Sequence, residues 1–191
     1  MLAGARMRRL AIALVHHPVL DGQGAIVTSA ITNLDVHDLA RSARTYGVSD
    51  YFVVHPITAQ RELVQKICAH WQTGSSGKRI PDRKKALELV RVVPSLDDAY
   101  AALGGRGKIE VWATAARELG RLEGEAARTR AREGEKPLLL VFGTAWGLAP
   151  VIVESVDAVL APIRGGADYN HLSVRAACAI LLDRLRSAGH T

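Results

Sequence analysis

The sequence predicts an α/β domain, a largely parallel sheet with helices on both faces. Three observations lead there. Short apolar runs of strand length alternate with amphipathic helical segments along the whole chain. The runs at 137–142 and 158–163 are continuously apolar, the pattern of strands buried on both faces. The 191 residues, 48% hydrophobic and 23% charged, suffice for one compact core. Aromatic residues make up only 5%, so Val, Leu, Ile and Ala must fill that core.

Element by element, residues 1–7 read as a leader and 8–191 as a single domain. "RLAIALVH" (9–16) is the first strand. "DVHDLARSARTYG" (35–47) is a helix with Leu39, Ala43 and Tyr46 on one side and Gly47 as its stop. "SDYFVVHP" (49–56) is a strand ended by Pro56, and "AQRELVQKICAHW" (59–71) a helix with Leu63, Ile67 and Trp71 at helical spacing. "GSSGK" (74–78) reads as a flexible break, and "ALELVRVVP" (86–94) ends in a strand. "SLDDAYAAL" (95–103) opens with a serine cap and two aspartates in its first turn, which favour a helix start. "KIEVWATA" (108–115) is the fourth strand. A helix over about 118–132, the strand "PLLLVFG" (137–143), a short helix near 148–154, a strand at 156–163 and a final helix over about 171–187 complete the order.

Composition excludes several classes. No apolar stretch approaches membrane-span length, and "LAIALV" is too short for a signal-peptide core. The two cysteines, Cys68 and Cys178, lie in apolar helical contexts and read as small buried hydrophobes, not a disulfide framework or metal site. A cytoplasmic setting fits. The net charge of +6 points to a polyanionic partner. Between Lys78 and Arg91, six basic residues face only Asp82 and Glu88. Lys78, Arg79, Arg83, Lys84 and Lys85 are therefore candidate contacts for an RNA backbone, against the alternative of a solvated charged run.

In open α/β sheets ligands lie beyond the carboxyl ends of strands. Two glycine loops stand there, Gly143–Gly147 and Arg164-Gly165-Gly166. Neither matches a phosphate fingerprint. "GTAWG" is not G-x-G-x-x-G, and "TGSSGKR" has Gln72 where a P-loop needs glycine and Arg79 where it needs Ser or Thr. The final helix is apolar at every position from Ala176 to Leu182, so it must be buried on more than one side.

"LLLVFGTAWGLA" and "VLAPIRGGADYNHLSVRAACAILLDRL" resemble the last two motifs of the SPOUT (α/β-knot) RNA methyltransferases, and "TNLDVHDLARSARTYGV" (32–48) resembles the first. The resemblance covers roughly 8–187. Within the superfamily it points to a bacterial group sometimes fused to tRNA guanine-N1 methyltransferases. It implies a C-terminal trefoil knot, S-adenosylmethionine as cofactor, RNA (tRNA above all) as substrate and a homodimer, with no metal.

By that likeness Phe142, Gly143, Thr144, Leu160, Ala161, Ile163, Gly165, Leu172 and Ser173 line the cofactor. Asn33, Arg44, Arg164 and Asn170 stand on the substrate side. Arg41 holds the position of the motif arginine, and Asp168 and His171 are candidate general bases. Asp168 or Asn170 could equally cap the last helix. His171 falls where ribose methyltransferases of the superfamily carry asparagine, which puts a ribose-specific mechanism in doubt. The competing functions are a non-catalytic RNA-binding module and an unrelated nucleotide-binding α/β protein.

Overall fold

The structure, a computed structural model, describes residues 7–167 and 169–187. Six strands form one sheet in the order β5-β4-β1-β7-β6-β8, and every pairing is parallel. They are β1 (Leu10–Val15), β4 (Asp50–Val54), β5 (Val90–Val93), β6 (Glu110–Ala113), β7 (Leu138–Gly143) and β8 (Ala158–Val159). All six predicted strands are present. A two-strand hairpin, β2 (Val19–Leu20) and β3 (Ile26–Val27), was not predicted. Strands of two residues show no periodicity to detect.

Alternation splits the core into two layers. Leu10, Ile12, Leu14, Tyr51, Val53, Trp112, Leu138, Leu140 and Phe142 face one side. There they meet α1 (Asn33–Thr45), α2 (Thr58–Thr73), α4 (Pro81–Leu87), α6 (Gly124–Glu133) and α8 (Val174–Arg186). Ala11, Ala13, Val15, Phe52, Val54, Val111, Leu139 and Val141 face the other, under α5 (Leu96–Ala102) and α7 (Pro150–Val153). Two-sided burial is why β1 and β7 are unbroken apolar runs and why β4 is apolar after Asp50, whose carboxylate pairs with Arg9 and Arg91.

Four expectations need correction. "GSSGK" is not a flexible break: Ser75–Arg79 forms α3, and Gly77 packs so closely on the Trp71 carbonyl that no Cβ would fit. The 156–163 run is not a doubly buried strand. Only Ala158 and Val159 pair, with Trp112 and Ala113, at the open edge, and both are half-buried. Pro162 has no N–H to extend the ladder. The charged helix starts at Gly124, not near 118. Ser173 caps α8 by accepting from the Ala176 N–H at 3.2 Å, so Asn170 does not. Asp168 lies outside the described residues.

The apolar helix finds its reason here. α8 packs between α1 and α6 and buries Cys178, Leu181, Leu182 and Leu185. Ala176, Ala177, Ala179 and Ile180 stay half-buried. Burial raises the Cys178 thiol to about 12 and the Cys68 thiol to about 11, so both are inert apolar groups.

Candidate active site at the carboxyl edge of the sheet

The loops after β1, β6, β7 and β8 converge on one edge. The turn after β7 is held from several directions. The Trp146 N–H donates to the Leu20 carbonyl at 3.0 Å, the Leu20 N–H to Gly147 at 2.9 Å, and the Gly147 N–H to Thr144 at 2.9 Å. Ala145 takes φ 52° and Gly147 φ 106°, so the turn uses left-handed backbone at a residue that carries a Cβ. Gly143 is needed for close approach: a Cβ there would lie 2.7 Å from the Leu148 nitrogen and 3.0 Å from the Gly147 carbonyl carbon. Gly165 and Gly166 differ, because a Cβ at either meets nothing within 4 Å.

The segment after β8 is tied down by side chains. Arg164 pairs with Glu118, and the Asn170 amide donates to the Ala116 carbonyl at 3.1 Å. Among the described residues 162–167 and 169–172, no backbone N–H or C=O bonds another described residue. Phe142, Leu160 and Ile163 share one apolar cluster beneath it. Leu172 and Ser173 are exposed at the start of α8. The Trp146 and His171 rings stand 6.3 Å apart, so the two glycine loops adjoin.

A network that the sequence did not reveal joins the first motif to the third. Buried Asp35 accepts from Arg175 at 2.8 Å and from the Thr32 hydroxyl, the α1 cap, at 2.7 Å. Arg175 also approaches Asp38 at 3.7 Å, and Asp38 approaches Arg41 at 3.7 Å. Exposed Arg41 is thereby linked to the start of α8, next to Ser173. Thr32-x-x-Asp35 has the spacing of a capping pair and could have marked Asp35. Nothing marked Arg175, 140 residues away.

A second network fixes Thr144, a candidate cofactor contact. The Thr144 hydroxyl donates to the Val15 carbonyl at 3.2 Å, so it must accept from Ser29 at 2.5 Å. Ser29 must then accept from His16 Nδ1 at 3.0 Å. This order leaves the His16 Nε2 lone pair buried and unpartnered. His55 takes the opposite tautomer: Nδ1 accepts from the Ile57 N–H and Nε2 donates to the Ser29 carbonyl. Burial and the neighbouring His55, outweighing Asp35 and the Ser29 contact, push His16 from 6.5 down to about 4. The unfolded chain therefore binds a proton that the fold refuses. Stability from this group is full above pH 6.5 and is lost as pH falls towards 4, on the order of 3 kcal/mol. Urea unfolding at pH 7 and pH 4.5 should show that loss, and it should shrink in His16→Asn. An unchanged pH slope in the variant would remove His16 from the account.

The remaining candidates lie elsewhere. Asn33 is exposed at the first position of α1. Arg44 holds α4, donating to the Lys85 carbonyl and pairing with Glu88 at 3.1 Å. Lys78, Arg79 and Lys85 are exposed, Lys84 is half-buried, and the Arg83 guanidinium lies 4.9 Å over the Trp71 ring. Among the described residues no group of three or more His, Cys, Asp or Glu could hold a metal, and no helix is long and apolar enough to cross a membrane.

A parallel sheet whose carboxyl edge carries one packed glycine turn and one segment of unbonded main chain defines an open α/β protein with its candidate site at that edge. The chain belongs to the SAM-dependent RNA methyltransferase family, which it matches over residues 9–187. It is 43% identical over 180 residues to a tRNA (guanine-N(1)-)-methyltransferase of Oleidesulfovibrio alaskensis, covering 93% of this chain. It spans only 42% of that relative's length. An uncharacterized protein of Aquifex aeolicus is 37% identical over 92% of this chain and 87% of its own. Among solved structures, a TrmH/SpoU tRNA modifying enzyme of A. aeolicus superposes with TM-score 0.59 at 18% identity, over 95% of this chain and 76% of that one. The fold is thus that of the SPOUT methyltransferases.

Proposed function

We propose that the chain transfers a methyl group from S-adenosylmethionine to tRNA, as a homodimer in the cytoplasm, with the 160–173 segment forming the knotted part of the cofactor pocket. One observation carries the reading: a close-packed turn at Gly143 adjoins a segment whose main-chain donors and acceptors are free. Such groups suit an adenine edge and a carboxylate, and Phe142, Leu160 and Ile163 offer apolar surface to a ring. Phe142, Gly143, Thr144, Leu160, Ala161, Ile163, Gly165, Leu172 and Ser173 are the proposed cofactor contacts.

When bound, S-adenosylmethionine would supply an electrophilic methyl group, to which an acceptor lone pair bonds in line as the thioether sulfur leaves with the electron pair of the broken C–S bond. The protein's task is to hold that acceptor at near-attack distance. In this reading His171 or Asp168 takes the proton released by a base nitrogen or ribose hydroxyl. Arg41 and Arg164 orient phosphate, with Asn33, Arg44 and Asn170 on the same substrate side. Lys78, Arg79 and Lys85 contact the RNA backbone, with Arg83 and Lys84 beside them. The half-buried Ala176, Ala177, Ala179 and Ile180 of α8 serve as the dimer seam.

Calorimetry tests the cofactor with a clean steric probe. Gly165→Val adds a side chain that meets nothing in the protein, so the fold should persist while S-adenosylmethionine affinity falls at least tenfold. Unchanged affinity, or none in the parent chain, overturns the pocket. Labelled-cofactor transfer to total RNA, followed by nucleoside mass spectrometry, identifies the accepting atom and separates an enzyme from a non-catalytic RNA-binding module.

A further inference from the structure

Trp146 is the only tryptophan that the fold leaves open. It is 58% exposed, whereas Trp112 is wholly buried and Trp71 packs against the core. An exposed indole is ordinarily an accident of a mobile loop. This one is built. Its backbone turn contains the strained Ala145 and is fastened at the Trp146 N–H by Leu20 and at the Trp146 carbonyl by Arg117, 3.1 Å away. Strain that the surroundings over-determine marks a functional position. One side of the indole rests on Gly22 of the β2–β3 loop, where a Cβ would come within 3.3 Å of the ring. Beyond it stand two more exposed rings. His171 is set edge-on to Trp146 at 75°, and Tyr169, 75% exposed, lies 5.2 Å from His171.

We propose that Trp146, Tyr169 and His171 form a stacking platform for a nucleobase of the RNA substrate. The assignment rests on the RNA methyltransferase reading and adds to it the surface that grips a base. Three π faces, each with a polar edge, suit a base better than an aliphatic protein surface. The guanidinium of Arg117, bound to the Trp146 carbonyl, sets positive charge beside the indole for the attached phosphates.

The test uses the full chain and a single-stranded oligoriboadenylate of about ten nucleotides. Titration should quench the Trp146 fluorescence, and Trp146→Ala should weaken binding about tenfold or more. Trp146→Tyr should restore most of the affinity, because stacking needs a ring and not an indole. Gly22→Val should weaken binding by displacing the ring from its seat. S-adenosylmethionine affinity, measured in parallel, separates the two readings. If the parent chain binds cofactor, and Trp146→Ala binds the oligonucleotide within twofold of the parent, the platform is overturned while the methyltransferase reading stands. Absence of oligonucleotide binding by the parent chain overturns it as well. Conversion of a dimer to a monomer by Trp146→Ala, with RNA affinity unchanged, would make the occupant a second copy of the chain and also overturn it.

Discussion

Gly143→Val should lose S-adenosylmethionine binding by 100-fold or more, and should also destabilise the fold by about 2–3 kcal/mol. The new Cβ would sit 2.7 Å from the Leu148 nitrogen and 3.0 Å from the Leu148 side chain. Neither neighbour is the tip of a flexible side chain that can swing aside. β7 cannot retreat, because Gly143 pairs with Val15 in the middle of the sheet. The turn must move instead, and it is anchored by the Leu20 bonds and by a left-handed Ala145. Moving it breaks those bonds and shifts Thr144 from its contacts with Ser29 and Val15. Calorimetry measures the affinity and urea unfolding the stability. Gly143→Ala, with the same Cβ and no branch, should lie between parent and valine. Binding by Gly143→Val within threefold of the parent would take the turn out of the cofactor site.

Arg8→Met should cost about 4 kcal/mol without touching the proposed site. The Arg8 side chain is 1% exposed at the opposite, amino edge of the sheet. Its Nε donates to the Lys136 carbonyl, its Nη1 to the Arg130 carbonyl at 2.7 Å, and its Nη2 to Glu110 at 2.5 Å. Gly134 has no side chain because the guanidinium occupies that space. Removal takes the Arg8 donor from the Lys136 carbonyl, leaves the Arg130 carbonyl with the Gly134 N–H at 3.3 Å, and leaves Glu110 with a single cationic partner, half-exposed Arg130. Burial alone would raise the Glu110 carboxyl, but the Trp112 indole N–H, Arg8 and Arg130 hold it below its ordinary range. Arg8→Lys should recover little, since one ammonium cannot reach three acceptors in a fork. Urea unfolding at pH 7 gives the number. A loss under 1 kcal/mol would show that the carbonyls find water.

The largely apolar β1, β4 and β7, the Ser95 cap with Asp97 and Asp98, and the glycine stop at Gly47 were legible because each is a property of neighbouring residues. The Ser95 capping box forms as expected, with Asp98 returning its bond. The glycine loops at 143–147 and 164–166 were visible as turns after strands, and family resemblance supplied their ligand. The Asp35–Arg175 pair, the His16–Ser29–Thr144 chain and the Gly22 seat of Trp146 were invisible. Their partners are 140, 13 to 115 and 124 residues apart, and no local pattern encodes such meetings.

By itself the sequence determined the order of the six sheet strands and of the main helices, though not the β2–β3 hairpin, α3 or the half-buried state of β8. It did so because side-chain period and capping act over a few residues. Only the tertiary structure decided that β7 lies between β1 and β6, that Arg175 rather than a nearer arginine satisfies Asp35, and that Trp146 stays open beside His171. Those outcomes depend on which surfaces meet once the chain has closed on itself, and a buried charge or an unfilled hydrogen bond selects its partner by distance in space, not by distance along the chain.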